Sequence, residues 1–508
     1  MRDRKRWEVG VAILFVVVIG SFWIFLQDQK KAEIPPCPDC NVILISLDTL
    51  RADSMGLYGY ERNTTPNLDR RAEKAIVFDR MFTNAYFTLP SHMSIFTSLY
   101  PPTHGVNYPV AQGNDVLSVL SGSHPTLTEI LKNYEYRTVW IGSLIDPNLN
   151  LNRGFGRGFD VFYLPLFSPG SWVKKENLSL IASQETGQKF FWFVHGYINH
   201  VPYIYTEPFN SHFSSMDYQG SLMRNRSLMT EKIFYELRNY YTENQSGTKE
   251  RIDKLSIPRQ SKDALIASLE KSDVAGYLNF ISSNTSYYWG VNTAFSINEN
   301  DVYYSTMRGG MSEEDISELR NSYDNGVYLV DSLVEEFLQV LDEKNLSQKT
   351  IIIITADHGE ELYEHQNFGH NTFYDTVVHV PLIIIHPGVH EQIRINSLAE
   401  SVDIMPTILS FLQIPSPASL QGKDLTAIYK GEIPKHSYVK GYALGNSYIR
   451  SPEWKYIKRR DGQEEFYDLE SDPDEMHNLI NESGWKVEKA KAGLKEEFTR
   501  WMVQQESG

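Results

Sequence analysis

Cysteine is nearly missing from this chain: of 508 residues only Cys37 and Cys40 carry a thiol. Both lie in Pro35-Pro36-Cys37-Pro38-Asp39-Cys40, with no other cysteine or histidine nearby, whereas a structural zinc site takes about four ligands. A small exported disulfide or two free thiols remain, and the disulfide is the preferred reading. A redox-active pair is disfavoured, because the motif precedes the first strand and opens no helix. Positive charge is also scarce. Lys and Arg number 48 against 64 Asp and Glu, a net charge of -16, and no basic stripe occurs. That excludes a protein held on a phosphate backbone, so nucleic acid is not a partner. Internal repeats are absent, which excludes solenoids and propellers. What is plentiful is core material, with 41% of residues hydrophobic and 13% aromatic.

Long apolar runs are few. The first, Val9 to Leu26, is broken only by Gly10, Gly20 and Ser21 and follows Arg2-Asp3-Arg4-Lys5-Arg6. It is about long enough to span a bilayer, and the basic cluster before it places the N-terminus inside and the rest outside the cytoplasm, on the periplasmic or extracellular side. No small-x-small cleavage site follows, so residues 1–31 read as a retained membrane anchor rather than a cleaved signal peptide. Residues 32–40 read as a linker.

Next comes Asn41-Val42-Ile43-Leu44-Ile45-Ser46-Leu47-Asp48, the pattern of a strand buried on both faces of a parallel sheet. Similar runs recur at Arg137–Gly142, Phe190–His195, Ile351–His358 and Pro381–Ile385, with helical patterns between them at Leu127–Tyr134 and Glu318–Leu341. The alternation predicts a three-layer α/β/α sandwich with a mostly parallel central sheet over 41–435. A polar, tyrosine-rich insertion at about 204–310, containing Tyr287-Tyr288-Trp289, reads as a lid, a pocket wall or a solvated excursion. From 436 to 508 a hairpin signal around Asp461-Gly462 and an amphipathic stretch from about Trp485 to Val503 predict a small antiparallel sheet with a helix.

Ligands of such sheets bind at the carboxyl ends of the strands, where Asp48, His195 and Asp357-His358 fall. In Ala85–Tyr100, Pro90 marks a helix start, and Met93, Phe96 and Leu99 recur at helical spacing, which predicts one buried face with Thr88 just ahead of it. A hydroxyl there faces the positive end of the helix dipole and suits a nucleophile, although a lone Thr-x-Pro is more often a cap. Two carboxylates and an imidazole suit a divalent cation, and a hydroxyl completing its shell is activated by it.

These pieces come with further motifs: Leu47-Asp48-Thr49-Leu50-Arg51-Ala52-Asp53, Thr65-Pro66-Asn67-Leu68-Asp69, Leu99-Tyr100-Pro101, His104-Gly105-Val106, Asn199-His200-Val201-Pro202-Tyr203, Asp357-His358-Gly359-Glu360, Gly369-His370, Tyr467-Asp468-Leu469, Asp472-Pro473 and Asn478-Leu479. Together, from Asn41 to about Leu479, they resemble the sulfatase family of the alkaline phosphatase superfamily. The resemblance implies Asp48, Asp357 and His358 as metal ligands, Thr88 as nucleophile and further ligand, and His200 and His370 as residues that hold the ester or assist the leaving group. His92 stands where sulfatases usually carry Arg. Sulfatases convert a Cys or Ser at the position of Thr88 to formylglycine, and threonine cannot yield that aldehyde because its β-carbon carries a methyl. Thr49 replaces a further Asp ligand of many sulfatases, which moves the metal choice toward Mn²⁺ or Zn²⁺, with Ca²⁺ less suited. Two-metal relatives carry a carboxylate four residues before a His. Here that slot before His200 is Gly196, which argues against a second metal while leaving His195 as a substitute.

The leading expectation is a metal-dependent hydrolase of phosphate or sulfate esters, phosphate favoured, acting on a small-molecule, glycan or lipid ester through a covalent Thr88 intermediate. A membrane-anchored transferase passing phosphoethanolamine or glycerophosphate to a second alcohol is the alternative. A non-catalytic binding protein accords least with the intact ligand set.

Overall fold

The five apolar runs are strands of one sheet: β1 (Asn41–Leu47), β3 (Arg137–Ile141), β5 (Phe190–Gly196), β6 (Thr350–Thr355) and β9 (His379–Ile385). In this computed structural model they join β2 (Ile76–Phe82), β4 (Val161–Tyr163) and β10 (Ile393–Glu400) in the order β10-β2-β9-β6-β1-β5-β3-β4. The structure describes residues 34–106, 118–142, 149, 153–163, 187–197, 199–200, 203, 209–214, 218, 234–235, 237–239, 241–253, 259–273, 276–277 and 310–506. β5 and β6 are buried along their whole length and β1 from its second residue, because helices cover both faces of the sheet.

Seven strands run the same way, and β9 alone is reversed, pairing antiparallel with β2 and β6. A run buried on both faces looks the same in either direction, so the sequence does not show this reversal. Nor does it show β2 and β10. In β2 the half-buried pair Asp79-Arg80 interrupts the apolar run where the register with β9 shifts, and β10 is an edge strand that begins in alternation.

Helix Leu127–Asn133 carries a capping box, Thr126 with Glu129, and helix Glu313–Glu343 another, Ser312 with Asp315. The short strands β7 (Glu361–Leu362) and β8 (Phe368–Gly369) pair with each other, and β11 (Val439–Ala443), β12 (Asn446–Arg450), β13 (Trp454–Lys458) and β14 (Glu464–Asp468) form an antiparallel sheet. Helix Trp485–Glu506 packs Leu494, Phe498 and Trp501 on it, with Tyr100, Ile449, Tyr456 and Phe466 in the same cluster. The β11–β12 turn holds Leu444 and Gly445 at φ 51° and 86°, a conformation that glycine takes without strain and leucine does not.

Cys37 and Cys40 are disulfide-bonded, and the Cys37 amide donates to the Phe411 carbonyl. The anchor run Val9 to Leu26 and the cluster Tyr287-Tyr288-Trp289 lie outside the described residues. Among the described residues no helix is long and apolar enough to cross a membrane. The described part of the 204–310 insertion includes helices Gln245–Asp253 and Arg259–Lys271.

Candidate active site

β1 lies between β5 and β6 and is parallel to both, with Ser46 opposite His195 on one side and Thr355 on the other. The residues that follow these strand ends therefore meet on one rim. Asp48, Asp357 and His358 are fully buried there, and each offers a ligand atom within 4.8 Å of the others. Asp357 Oδ1 accepts from the amides of His358, at 2.9 Å, and Thr49, at 3.4 Å. His358 Nδ1 stands 2.9 Å from the Gly359 carbonyl, which assigns its proton to that nitrogen and leaves the Nε2 lone pair 3.4 Å from Asp357 Oδ2. Two carboxylates and a ligating imidazole at zero exposure are a set that a divalent ion fits.

Two backbone features hold the rim. A Cβ on Gly359 would stand 2.3 Å from the Thr376 carbonyl oxygen, so only glycine lets the chain pass. Thr49 has φ 57°, strained for a β-branched residue by about 1–3 kcal/mol. Its hydroxyl lies 2.8 Å from the carbonyls of both Asn199 and Asp48, which keeps its amide turned toward Asp357.

Helix Thr88–Thr97 starts at Thr88 itself, with Phe87 at the cap position and no side-chain cap. The sequence reading placed Thr88 just ahead of the helix and gave the helix one buried face. Instead all ten residues are buried, because the helix is enclosed by the protein on every side. The Thr88 hydroxyl does not cap backbone amides. It donates to Asp48 Oδ2 at 3.4 Å. Ser91, one turn on, donates to the Asp357 carbonyl at 2.7 Å and tethers the helix to the same rim. His92 meets Thr88 at the main chain, Nδ1 to the Thr88 carbonyl at 2.7 Å, with Nε2 2.8 Å from Ser46 Oγ.

His200 and His370 come together, their Nε2 atoms 3.3 Å apart. His370 Nδ1 lies 2.9 Å from the Tyr86 carbonyl, two residues before Thr88, and its ring sits 4.2 Å from that of His358. Burial, then the neighbouring His358, lowers the pKa of His370 to about 3. A neutral His370 with its proton on Nδ1 accepts at Nε2, so His200 is the donor of the pair. Tyr197 stacks on His200 at 4.5 Å, and Phe87 meets His370 edge-on at 5.4 Å. His195, expected at a strand end and as a substitute ligand, has its Nε2 3.4 Å from Asp48 Oδ2. Tyr197, and Tyr203, which donates to buried Glu360, had no assigned role. Tyr203 closes the motif that begins at Asn199, whereas Tyr197 carried no signal.

A mostly parallel sheet whose strand ends gather carboxylates, imidazoles and a helix-start hydroxyl defines a class, the hydrolases acting on ester bonds. The chain belongs to the sulfatase family of the alkaline phosphatase superfamily: the Sulfatase family matches residues 40–414, and the family N-sulphoglucosamine sulphohydrolase, C-terminal, matches 363–504. Members of the family generally use a divalent metal ion. The chain is 32% identical to arylsulfatase K of Rattus norvegicus over 197 residues, so the match spans only 35% of either protein. In fold it is similar to a protein solved in complex with its substrate D-glucosamine-2-N,6-O-disulfate (TM-score 0.64, 18% identity, covering 92% of this chain and 99% of that one). It is likewise similar to the phosphonate monoester hydrolase of Agrobacterium radiobacter (TM-score 0.62, 19% identity, covering 92% and 96%).

Proposed function

We propose that this chain hydrolyses phosphate mono- or diesters, in preference to sulfate esters, through a covalent intermediate on Thr88. The observation that carries the reading is the Thr88 hydroxyl, at the first residue of a buried helix and hydrogen-bonded to Asp48 rather than to backbone amides. Asp48, Asp357, His358 and the Thr88 oxygen would hold one divalent ion, Mn²⁺ or Zn²⁺ by ligand type. Such an ion supplies the positive charge that makes a threonine hydroxyl ionisable and offsets charge on the transferring group.

Thr88 Oγ1 attacks phosphorus as its proton leaves toward Asp48. The ester P–O bond breaks, and the departing oxygen takes the His200 Nε2 proton, replacing His370 as its acceptor. Tyr197 and Tyr86 fix the two rings for that exchange. Water then attacks phosphorus, returns a proton to His200, and releases phosphate as Thr88 recovers its own. A sulfated threonine lacks the hemiacetal route by which formylglycine sheds sulfate, which supports the preference for phosphorus. An N-terminal anchor over 1–31 would place this chemistry outside the cytoplasm, on a small-molecule, glycan or lipid ester.

Quenching turnover of p-nitrophenyl phosphate and of bis-p-nitrophenyl phosphate in acid, followed by peptide mass spectrometry, tests the reading. The expected result is a phosphoryl or phosphodiester adduct on Thr88. An adduct on Ser91, or efficient p-nitrophenyl sulfate cleavage with slow phosphate cleavage, would overturn the nucleophile or the preference respectively.

A further inference from the structure

Beside the proposed metal ligands lies a second group of ligating side chains, two of which, His92 and His195, the proposed mechanism does not use. His195 ends β5 directly opposite Ser46 of β1, and His92 places Nε2 2.8 Å from Ser46 Oγ, so the two imidazoles flank one residue. Their ring centroids are 4.9 Å apart. With Asp357 they offer three ligand atoms within 4.8 Å of one another, and all three residues are at most 1% exposed. Ligand atoms about 2.1 Å from an ion stand ~3.4 Å apart in a tetrahedral shell, so small side-chain rotations close the group.

Two carboxylate oxygens lie between this group and the proposed metal ligands. Asp357 Oδ2 is 3.4 Å from His358 Nε2 and 3.9 Å from His92 Nδ1. Asp48 Oδ2 is 3.4 Å from Thr88 Oγ1 and 3.4 Å from His195 Nε2. A carboxylate set between two groups of donors is the arrangement by which paired ions share a ligand. Phe193 stacks on His195 at 17° and meets His92 edge-on, and Phe155 closes the other side of His92, so the rings are held by packing. His92 Nδ1 lies 2.7 Å from the Thr88 carbonyl and Nε2 2.8 Å from Ser46 Oγ, so ligation through either nitrogen exchanges one of these bonds for the ion.

We propose that the chain holds a second divalent cation between His92, His195 and Asp357, with Asp357 shared between the two ions. Two imidazoles and one carboxylate select a borderline ion of the Zn²⁺ or Co²⁺ type over Ca²⁺ or Mg²⁺. The site rests on the proposed reading of Asp48, Asp357 and His358 as ligands. It is distinct from the His200–His370 pair.

The test is metal stoichiometry on the full chain. Protein stripped with chelator, reloaded with excess Zn²⁺ and desalted should retain two ions by mass spectrometry, His195→Ala one, and Asp48→Asn one. Anomalous scattering at the zinc edge from wild-type crystals, which needs no variant to fold, should place a peak among His92, His195 and Asp357. One ion in the wild type, no such peak, or a folded His195→Ala protein that still holds two would each overturn the proposal. Two ions without ester turnover would refute the proposed function and leave this site standing. One ion with full turnover would do the reverse.

Discussion

Thr88→Val separates a nucleophile from a helix cap in one protein. Valine keeps the branched shape and the buried methyl of a residue that is 2% exposed, and it removes only the oxygen. If that oxygen capped the helix, its loss would cost about 1–2 kcal/mol of stability and leave chemistry intact. The structure gives it no backbone amide. Its bond to Asp48 is long, 3.4 Å, and Asp48 stays within reach of other partners, including His195 at 3.4 Å. A weak bond of this kind is worth no more than about 1 kcal/mol, and valine returns part of that through apolar burial. Stability should therefore change by less than about 1 kcal/mol in urea titrations, in either direction. Turnover should fall by at least about 10⁴-fold, since loss of a covalent nucleophile removes the pathway itself. Steady-state rates on p-nitrophenyl phosphate, with far-ultraviolet dichroism as the folding control, give both numbers. Retained turnover with a stability loss near 2 kcal/mol would refute the argument and restore the cap.

Other expectations follow from the same geometry. His200→Ala should slow alkyl phosphates by about 10²–10⁴-fold while p-nitrophenyl esters lose far less, because only the poor leaving group needs the proton; equal losses on both would remove His200 as the donor. Asp331 accepts from the amides of Leu68 and Asn67 and from the Asn67 side chain, and burial raises its pKa to about 6. With the folded value above the unfolded one, its contribution to stability is complete below about pH 4 and is lost as pH rises through 6. Wild type minus Asp331→Asn, by urea unfolding, should decline across that window by roughly 3 kcal/mol, and a flat difference would refute the shift.

How much of this was legible beforehand depends on what each side chain answers to. β1, β5 and β6 were legible because burial on both faces forces an unbroken apolar run, and several such runs closing in carboxylates or imidazoles point together to a site. β9 was read as a strand but not as a reversed one, since no residue records direction when both faces are covered alike. The meeting of His200 with His370 could come only from motif resemblance, because 170 positions separate them and no local pattern links the two. His92 is the instructive case. Four residues after Thr88 on a helix it shares the face of Thr88, and spacing alone puts it beside the hydroxyl. But a side chain at i+4 leans toward the helix N-terminus, where the Thr88 carbonyl lies, and an imidazole is long enough to be caught by it at 2.7 Å. That capture points the other ring nitrogen into the sheet, at Ser46. A guanidinium at this position has further donors and greater reach than an imidazole, so an Arg there would not be held by these two bonds alone.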